Sequence, residues 1–229
     1  MYTTFQKLVA EFIGTFALVF FGVGSICVDR HLQSSGGIGL LAIALAHGLA
    51  IAIMVSAFGH VSGGHFNPAV SIGFWVTKRI GTLDAFLYWA AQILGGIVAA
   101  FLLRSVIPEE TWRAVSLGTP ALLRDFPVVS AMILEAVTSF FLVLVVFATA
   151  VDERGAFRSI AGFGIGLTIT LGILAIGPYT GGALNPARAF GPALASHHWT
   201  NQGVYWIGPL AGGFLAGLLY DSLYLKKAA

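Results

Sequence analysis

Six long apolar stretches limit what this chain can fold into more than any other feature. The stretches cover about 8–28, 38–58, 84–103, 128–150, 159–177 and 203–225. A helix needs about 20 mostly apolar residues to cross the ~30 Å hydrocarbon core of a bilayer. The stretches also lack the alternation of apolar and polar residues that is typical of a membrane barrel. We therefore predict an all-α membrane protein with six transmembrane helices.

The composition excludes several other classes of protein. Hydrophobic residues make up 57% of the 229 residues and charged residues only 10%, against about 25% charged in soluble domains. A net charge of +2 gives no basic stripe for nucleic acid. The single Cys27 excludes intramolecular disulfides and any multi-cysteine metal site. We expect no cofactor, no metal and, without a nucleotide-binding motif, no enzymatic activity.

The first stretch could be a signal peptide, but it is long and Glu11 interrupts it, so we interpret it as a retained span. Six spans place both termini on one side of the membrane, where the loops and ends carry seven basic residues against four opposite. The seven are Lys7, Lys78, Arg79, Arg154, Arg158, Lys226 and Lys227, and the four are Arg30, Arg104, Arg113 and Arg124. This bias predicts cytoplasmic termini, and we expect the plasma (cell inner) membrane.

The two halves of the chain repeat each other. The motif Asn67-Pro68-Ala69, preceded by Gly-Gly, recurs 118 residues later as Asn185-Pro186-Ala187, and Glu11 recurs 124 residues later as Glu135. We therefore predict one transmembrane domain over 1–229, with repeat one at about 5–104 and repeat two at about 128–225. An odd number of spans in each repeat inverts the second repeat, and this geometry places a site near the bilayer midplane.

The apolar runs after each Asn-Pro-Ala motif are too short to cross the membrane. Residues 68–77 and 186–195 would each span about 15 Å, and the glycine-rich segments 59–66 and 178–184 precede them. Non-helical backbone at that depth must be buried in protein or line a watery cavity. We therefore predict two re-entrant half-helices that enter from opposite faces and line a pore.

Asparagine followed by proline is also a helix-start signal. Two helix N-termini that meet at mid-membrane each carry about half a positive charge. Asn67 and Asn185 would then present amide donors to a permeating water, while cations and protons meet a positive barrier. Arg188 follows three residues after Asn185, and an arginine at membrane depth is a functional residue by default.

These motifs resemble the aquaporins, or major intrinsic proteins, over essentially the whole chain. The similarity runs through Ser62–Val70 and Gly182–Ala193 and includes Glu11 and Glu135. It implies six tilted helices, two half-helices, a pore in each protomer and a homotetramer.

The resemblance also implies a selectivity filter formed by His47, Ile173, Gly182 and Arg188. This set is similar to that of plant tonoplast intrinsic proteins and ammonia-permeable relatives. That group has an additional histidine in the loop between spans three and four. The alignment places Thr119 there, so this chain departs from the group at that position. Ala189 and Ala193 differ from the pattern of glycerol-conducting relatives, so glycerol is not the expected main substrate.

Two buried carboxylates and one histidine complete the predicted site. Glu11 and Glu135 would accept N–H groups from the re-entrant loops, and His65 would lie at the pore mouth. We predict a passive channel for water that also admits ammonia and other small neutral solutes and excludes protons and ions. The alternatives are an ammonia facilitator with water secondary, a proton-coupled transporter in which both carboxylates titrate, and a scaffold with an occluded pore.

Overall fold

The computed structural model describes residues 2–155 and 160–225. Across these residues the chain forms nine α-helices joined by turns and short loops. The helices are α1 (Thr4–His31), α2 (Gly39–Ser62), α3 (Pro68–Val76), α4 (Thr82–Val106), α5 (Glu109–Ala114), α6 (Val128–Val146), α7 (Ala161–Thr180), α8 (Pro186–Ser196) and α9 (Val204–Tyr220). Arg158, Lys226 and Lys227, which the orientation argument used, lie outside the described residues.

The prediction of an all-α membrane protein is confirmed. Within the described residues, five helical segments are long and apolar enough to cross a membrane, namely α1, α2, α4, α7 and α6 with its continuation to Val151. The last predicted span contains α9, which has 17 residues and continues as a π-helical turn to Leu225. The chain is therefore an integral, multi-pass membrane protein.

The two half-helices α3 and α8 follow the motifs, but the loops before them are shorter than the glycine-rich segments suggested. Helix α2 continues to Ser62 and α7 continues to Thr180, so only Gly63–Phe66 and Gly181–Leu184 are non-helical. The fifth span was predicted to end at about residue 177, but α7 continues and contains Pro178, a residue type that usually breaks a helix. The helix passes through Pro178 because the N–H of Gly181 still closes the last turn on the carbonyl of Gly177 at 2.8 Å.

Small residues allow the long helices to approach closely. Helix α2 packs along α7, α1 along α4, and α6 along α9. A Cβ atom added to Gly166 of α7 would lie 2.2 Å from the carbonyl oxygen of Gly48 of α2. Without side chains at such crossings, the helix backbones come into direct contact, as is common in membrane proteins.

Helix α5 was not predicted from the sequence. It has six residues, three of them charged, and therefore gives no apolar signal. Its Trp112 is buried between two guanidinium groups, with Arg104 at 5.1 Å and Arg113 at 5.0 Å from the ring centroid. These cation–π contacts anchor the loop that leads from α4 towards the predicted filter.

The end of α6 is fixed by a polar cluster. Beyond a π-helical turn at Phe147–Val151, Asp152 accepts hydrogen bonds from the Arg154 guanidinium at 2.9 and 2.7 Å. The hydroxyl of Tyr220 also donates to this carboxylate at 3.2 Å. The hydrogen bonds from Arg154 hold the pKa of the Asp152 carboxyl below its ordinary value, so the carboxyl remains charged at neutral pH.

Candidate functional site

Two loops of the same shape connect a membrane helix to a half-helix. Gly63–Phe66 connects α2 to α3, and Gly181–Leu184 connects α7 to α8. Left-handed φ angles occur at matching places in the two loops: Gly63 94°, Gly64 64° and Phe66 50°, then Gly181 84°, Gly182 57° and Leu184 52°. The glycines adopt this conformation without strain, and each loop turns the chain back towards the interior.

Each asparagine caps its own half-helix and also contacts the other loop. The Asn67 side-chain oxygen accepts from the N–H of Ala69 at 2.8 Å, and that of Asn185 accepts from the N–H of Ala187 at 3.0 Å. The Asn67 amide nitrogen donates to the carbonyl of Leu184 at 2.9 Å, and the Asn185 amide nitrogen donates to that of Phe66 at 2.9 Å. These reciprocal bonds join the tips of the two half-helices.

A carboxamide nitrogen carries two protons. One proton of each asparagine is used in the bond to the opposite loop. The second proton of each amide is free to bind a molecule in the cavity between the tips. Pro68 and Pro186 occupy the first helical positions, where the missing N–H costs no hydrogen bond, and Ala69 and Ala187 follow them.

A fully buried carboxylate holds each loop from behind. Glu11 accepts from the backbone N–H groups of His65 at 3.0 Å and Phe66 at 2.6 Å. Glu135 accepts in the same way from Ala183 at 2.9 Å and Leu184 at 2.8 Å. Both glutamates have 0% exposure, so these bonds satisfy backbone donors that would otherwise be unpaired inside the protein.

Several supporting residues were missed in the sequence analysis. The hydroxyls of Ser62 and Thr180 donate to Glu11 and Glu135 at 2.6 and 2.8 Å. Tyr88 donates to the Ser62 carbonyl, and Tyr205 donates to the Thr180 carbonyl, both at 2.8 Å. The repeat contained the signal for these residues, since hydroxyl-bearing side chains stand at equivalent positions in both halves.

The predicted filter residues His47 and Arg188 come into direct contact. A terminal nitrogen of Arg188 lies 3.1 Å from Nε2 of His47, and the other donates to the carbonyl of Gly118 at 2.9 Å. His47 Nδ1 lies 2.9 Å from the carbonyl oxygen of Ile43, which can only accept. Nδ1 therefore carries the imidazole proton, and Nε2 accepts from Arg188. The buried Nε–H of Arg188 has no protein partner.

Ile173 lines the same cavity as this pair, whereas Gly182 and Thr119 are not among the described residues that line it. Ile173 is buried, and a Cβ atom added to Gly182 would lie 3.1 Å from Cα of Ile173. Thr119 follows the carbonyl that binds Arg188, and its hydroxyl lies 3.0 Å from that of Ser196. Thr119, which the resemblance marked as a departure from ammonia-permeable relatives, is thus bonded to α8.

One narrow cavity connects these groups. Its polar lining consists of His47, His65, Asn67, Asn185 and Arg188, and its apolar lining includes Leu18, Ile51, Val70, Leu142, Val146, Ile165, Ile169 and Ile173. A few polar groups among many aliphatic side chains suit small molecules that move past without strong binding.

His65 lies between this cavity and a wider vestibule. The vestibule is lined by Tyr2, Lys7, His60, Arg79 and others as well as by His65. Among the described residues, no group of three or more His, Cys, Asp or Glu side chains could hold a metal ion. The amides of Asn67 and Asn185 and the guanidinium of Arg188 present hydrogen-bond donors to the narrow cavity.

The fold and site define a polytopic membrane protein whose two half-helices meet tip to tip beside a narrow internal cavity. The family model described as "MIP: Major intrinsic protein" matches residues 1–220 of the chain. The chain belongs to the major intrinsic protein family, as its motifs indicated.

Similar proteins of this family are named aquaporins. The chain is 44% identical to Aquaporin TIP4-4 of Zea mays over 97% of this chain and 88% of that protein. It is 41% identical to the Probable aquaporin TIP2-2 of Arabidopsis thaliana, covering 98% and 89%. Among solved structures, it is similar to the aquaglyceroporin from Plasmodium falciparum, with a TM-score of 0.79, 25% identity and coverage of 96% and 97%.

Proposed function

We propose that this protein is a passive channel that conducts water across a membrane and excludes protons and ions. The reciprocal hydrogen bonds between the half-helix tips carry this proposal. Two positive helix ends and two amide donors orient a passing water with its oxygen towards Asn67 and Asn185. That water cannot also accept a proton from its neighbour, and a cation meets the positive field.

The comparisons support the same function. The similar plant proteins carry the name aquaporin, and the major intrinsic proteins are a channel family and not a family of enzymes. We infer that one channel domain spans the chain and contains two inverted repeats. In this domain the half-helix motifs form the central constriction, while Glu11 and Glu135 hold the pore loops.

Ammonia is the second candidate solute. His47, Ile173, Gly182 and Arg188 would form the outer filter, and the missing side chain at Gly182 leaves this part wider than a bulkier residue would. The hydrogen bond from Arg188 to His47 draws the guanidinium to one wall. We infer that ammonia, and other small neutral solutes such as urea and hydrogen peroxide, accompany water.

Proton-coupled transport has less support. Glu11 and Glu135 would have to exchange protons with the pore, yet neither lines the cavity among the described residues. Both carboxylates already accept hydrogen bonds from backbone N–H groups. Protonation would remove acceptors from those donors and loosen the loops.

We propose a homotetramer in the bilayer, with both termini cytoplasmic. Two apolar grooves suit contacts between copies, one between α1 and α2 and one between α6 and α7. Different surfaces on each copy give a head-to-tail contact, which closes into a ring. The plasma membrane stays a prediction, and the similarity to tonoplast-type TIP aquaporins is an argument for an internal membrane.

Proteoliposomes can test the proposed function. Light scattering would follow their volume after osmotic, ammonia and glycerol gradients, each with and without a proton gradient. We expect fast water flow, measurable ammonia entry, little glycerol entry and no effect of the proton gradient. Flux that depends on the proton gradient would indicate a transporter, and water flow equal to that of empty liposomes would support a scaffold.

A further inference from the structure

A polar network behind the first half-helix has no counterpart behind the second. The Gln92 amide nitrogen donates to Glu11 at 2.8 Å and to the hydroxyl oxygen of Ser71 at 3.0 Å. That hydroxyl lies 3.0 Å from Nδ1 of His65. In the second repeat, alanines occupy the positions equivalent to Ser71 and His65. The network is therefore not needed to form a half-helix.

The orientation of Gln92 is set by Glu11. This carboxylate accepts hydrogen bonds from two backbone N–H groups, from Ser62 and from Gln92. A carboxylate with four donors around it can only accept, so the Gln92 NH2 group must face it. The carbonyl oxygen of the Gln92 side chain is buried and has no hydrogen-bond partner within the described part of the chain. Both protons of the Gln92 amide are thus committed, one to Glu11 and one to Ser71.

The hydroxyl proton of Ser71 decides which nitrogen of His65 is protonated. Ser71 accepts from Gln92, and its own hydroxyl proton has one further neighbour among the described residues, Nδ1 of His65. If Nδ1 carried a proton, Ser71 would accept two bonds and its buried hydroxyl proton would have no acceptor. Nδ1 is therefore the acceptor, and the neutral imidazole has its proton on Nε2.

Two aromatic rings pack against the His65 imidazole in this orientation. Its centroid lies 4.1 Å from that of Phe74, and the Tyr88 ring meets it edge-on at 5.2 Å. Its Nε2 lies beside Gly63, where an added Cβ atom would be 3.2 Å away. Gly63 lines the vestibule. The free nitrogen of His65 thus lies at the inner end of the passage.

We propose that Gln92 and Ser71 are positioning residues that fix His65 as the Nε2–H tautomer and make it a permanent donor at the inner mouth. A permeating molecule must then offer a lone pair at this point. Water and ammonia offer one, whereas ammonium and metal cations do not. This consequence rests on the proposed channel function, although the tautomer itself does not.

The histidines at the two ends of the passage carry their proton on different ring nitrogens. His47, at the outer end, has its proton on Nδ1, and its Nε2 accepts from Arg188. The outer donor is therefore Arg188, and the inner donor is His65. The cavity thus has a donor at each end, Arg188 outside and His65 inside. The amides of Asn67 and Asn185 lie between them.

Nuclear magnetic resonance of the full-length, ¹⁵N-labelled protein in lipid bilayers tests this proposal. The ¹⁵N shifts of an imidazole distinguish its protonated from its unprotonated nitrogen, and the loss of signals in His65→Asn identifies those of His65. We expect protonated Nε2 and unprotonated Nδ1 in the wild type. Ser71→Ala should shift the tautomer balance towards Nδ1–H by about two- to tenfold, the weight of one ordinary hydrogen bond.

Matched variants separate positioning from general damage. Ser71→Thr keeps the hydroxyl and should restore the wild-type signals, and Thr138→Ala removes a hydroxyl that bonds only to its own helix. Gln92→Leu leaves Glu11 with three hydrogen-bond donors, as many as Glu135 has. This variant should shift the His65 tautomer balance in the same direction as Ser71→Ala. Osmotic water permeability per channel should fall with the Nε2–H population in the same samples.

Two results would overturn the proposal. One is a protonated Nδ1 in the wild type, and the other is an unchanged His65 signal in both Ser71→Ala and Gln92→Leu. If the signals respond as expected but vesicles show no water flow, the channel function fails and the tautomer assignment stands. If water flow is fast and the signals do not respond, only the present proposal fails.

Discussion

Glu135 shows how much one buried side chain supports in this fold. It has 0% exposure and accepts from Thr180, Ala183 and Leu184. Those donors lie in and beside the loop that ends at Asn185. The position of the second half-helix therefore depends on a carboxylate that no permeating molecule needs to touch.

Glu135→Gln should destabilise the protein. A glutamine has one oxygen acceptor, and its NH2 group would face backbone N–H groups, so at least one buried donor loses its partner at a cost of about 2–3 kcal/mol. A thermal-unfolding scan in detergent should show an apparent melting temperature several degrees below that of the wild type.

The matched control is Glu109→Gln, which breaks an exposed pair with Arg113. Exposed pairs contribute about 0–1 kcal/mol, so the melting temperature should hardly change. Equal melting temperatures for both variants and the wild type would show that the loop does not depend on Glu135.

His47→Phe is expected to reduce ammonia flux more than water flux. Phenylalanine is larger and has no ring nitrogen to accept from Arg188, so the filter becomes narrower and the guanidinium turns back towards the lumen. Ammonia and water fluxes measured in the same proteoliposomes give the ratio. An equal loss of both fluxes would count against the filter assignment.

Single residues differ in how far the sequence predicts them. The asparagines and glutamates occur at repeat-equivalent positions, so their shared function could be inferred from the pattern. Ser71 and Gln92 occur in one repeat only, and the bond between His47 and Arg188 joins residues 141 positions apart. Such contacts depend on how the helices pack, which the sequence pattern does not show.

At the scale of helices, each half-helix packs on a glycine from the other repeat. A Cβ atom added to Gly213 would lie 2.0 Å from the carbonyl oxygen of Ala69, and one added to Gly96 would lie 2.7 Å from that of Ala187. The half-helix of each repeat thus packs against a long helix of the other repeat. Close backbone contact at these points holds the tips at the right depth.

Gly213→Ala should therefore disturb the packing of α3 on α9. The added methyl group overlaps backbone atoms that cannot move aside, and overpacking of this kind costs about 1–3 kcal/mol. Gly203→Ala is the control, since an added Cβ atom there meets nothing within 4 Å. We expect lower melting temperature and water permeability for the first variant only, and a normal Gly213→Ala protein would contradict the packing model.

The sequence predicts the helices better than their ends. Apolar length and the Asn-Pro signal located every membrane helix and both half-helices. The ends differ because hydrogen bonds extend α2 and α7 beyond their glycines and even through Pro178. Helix α5 has no apolar pattern and is fixed instead by contacts of Trp112 with two arginines.

At the scale of the whole molecule, the resemblance to the aquaporins implies an assembly of four copies, which a single chain does not display. The apolar groove between α1 and α2 and the larger one between α6 and α7 suit a ring of copies. Native mass spectrometry in mild detergent should give a mass of four 24.1 kDa chains. Dissociation to single chains under conditions that preserve water permeability would contradict the proposed tetramer.

The central claim is that two half-helices meet and form a passage for uncharged molecules alone. Its most direct test follows water and proton fluxes in the same proteoliposomes, with light scattering for volume and an enclosed pH-sensitive dye for protons. The account predicts water flow well above that of empty liposomes and no increase in proton flux. Proton flux that rises together with water flow, or water flow no faster than through lipid alone, would contradict it.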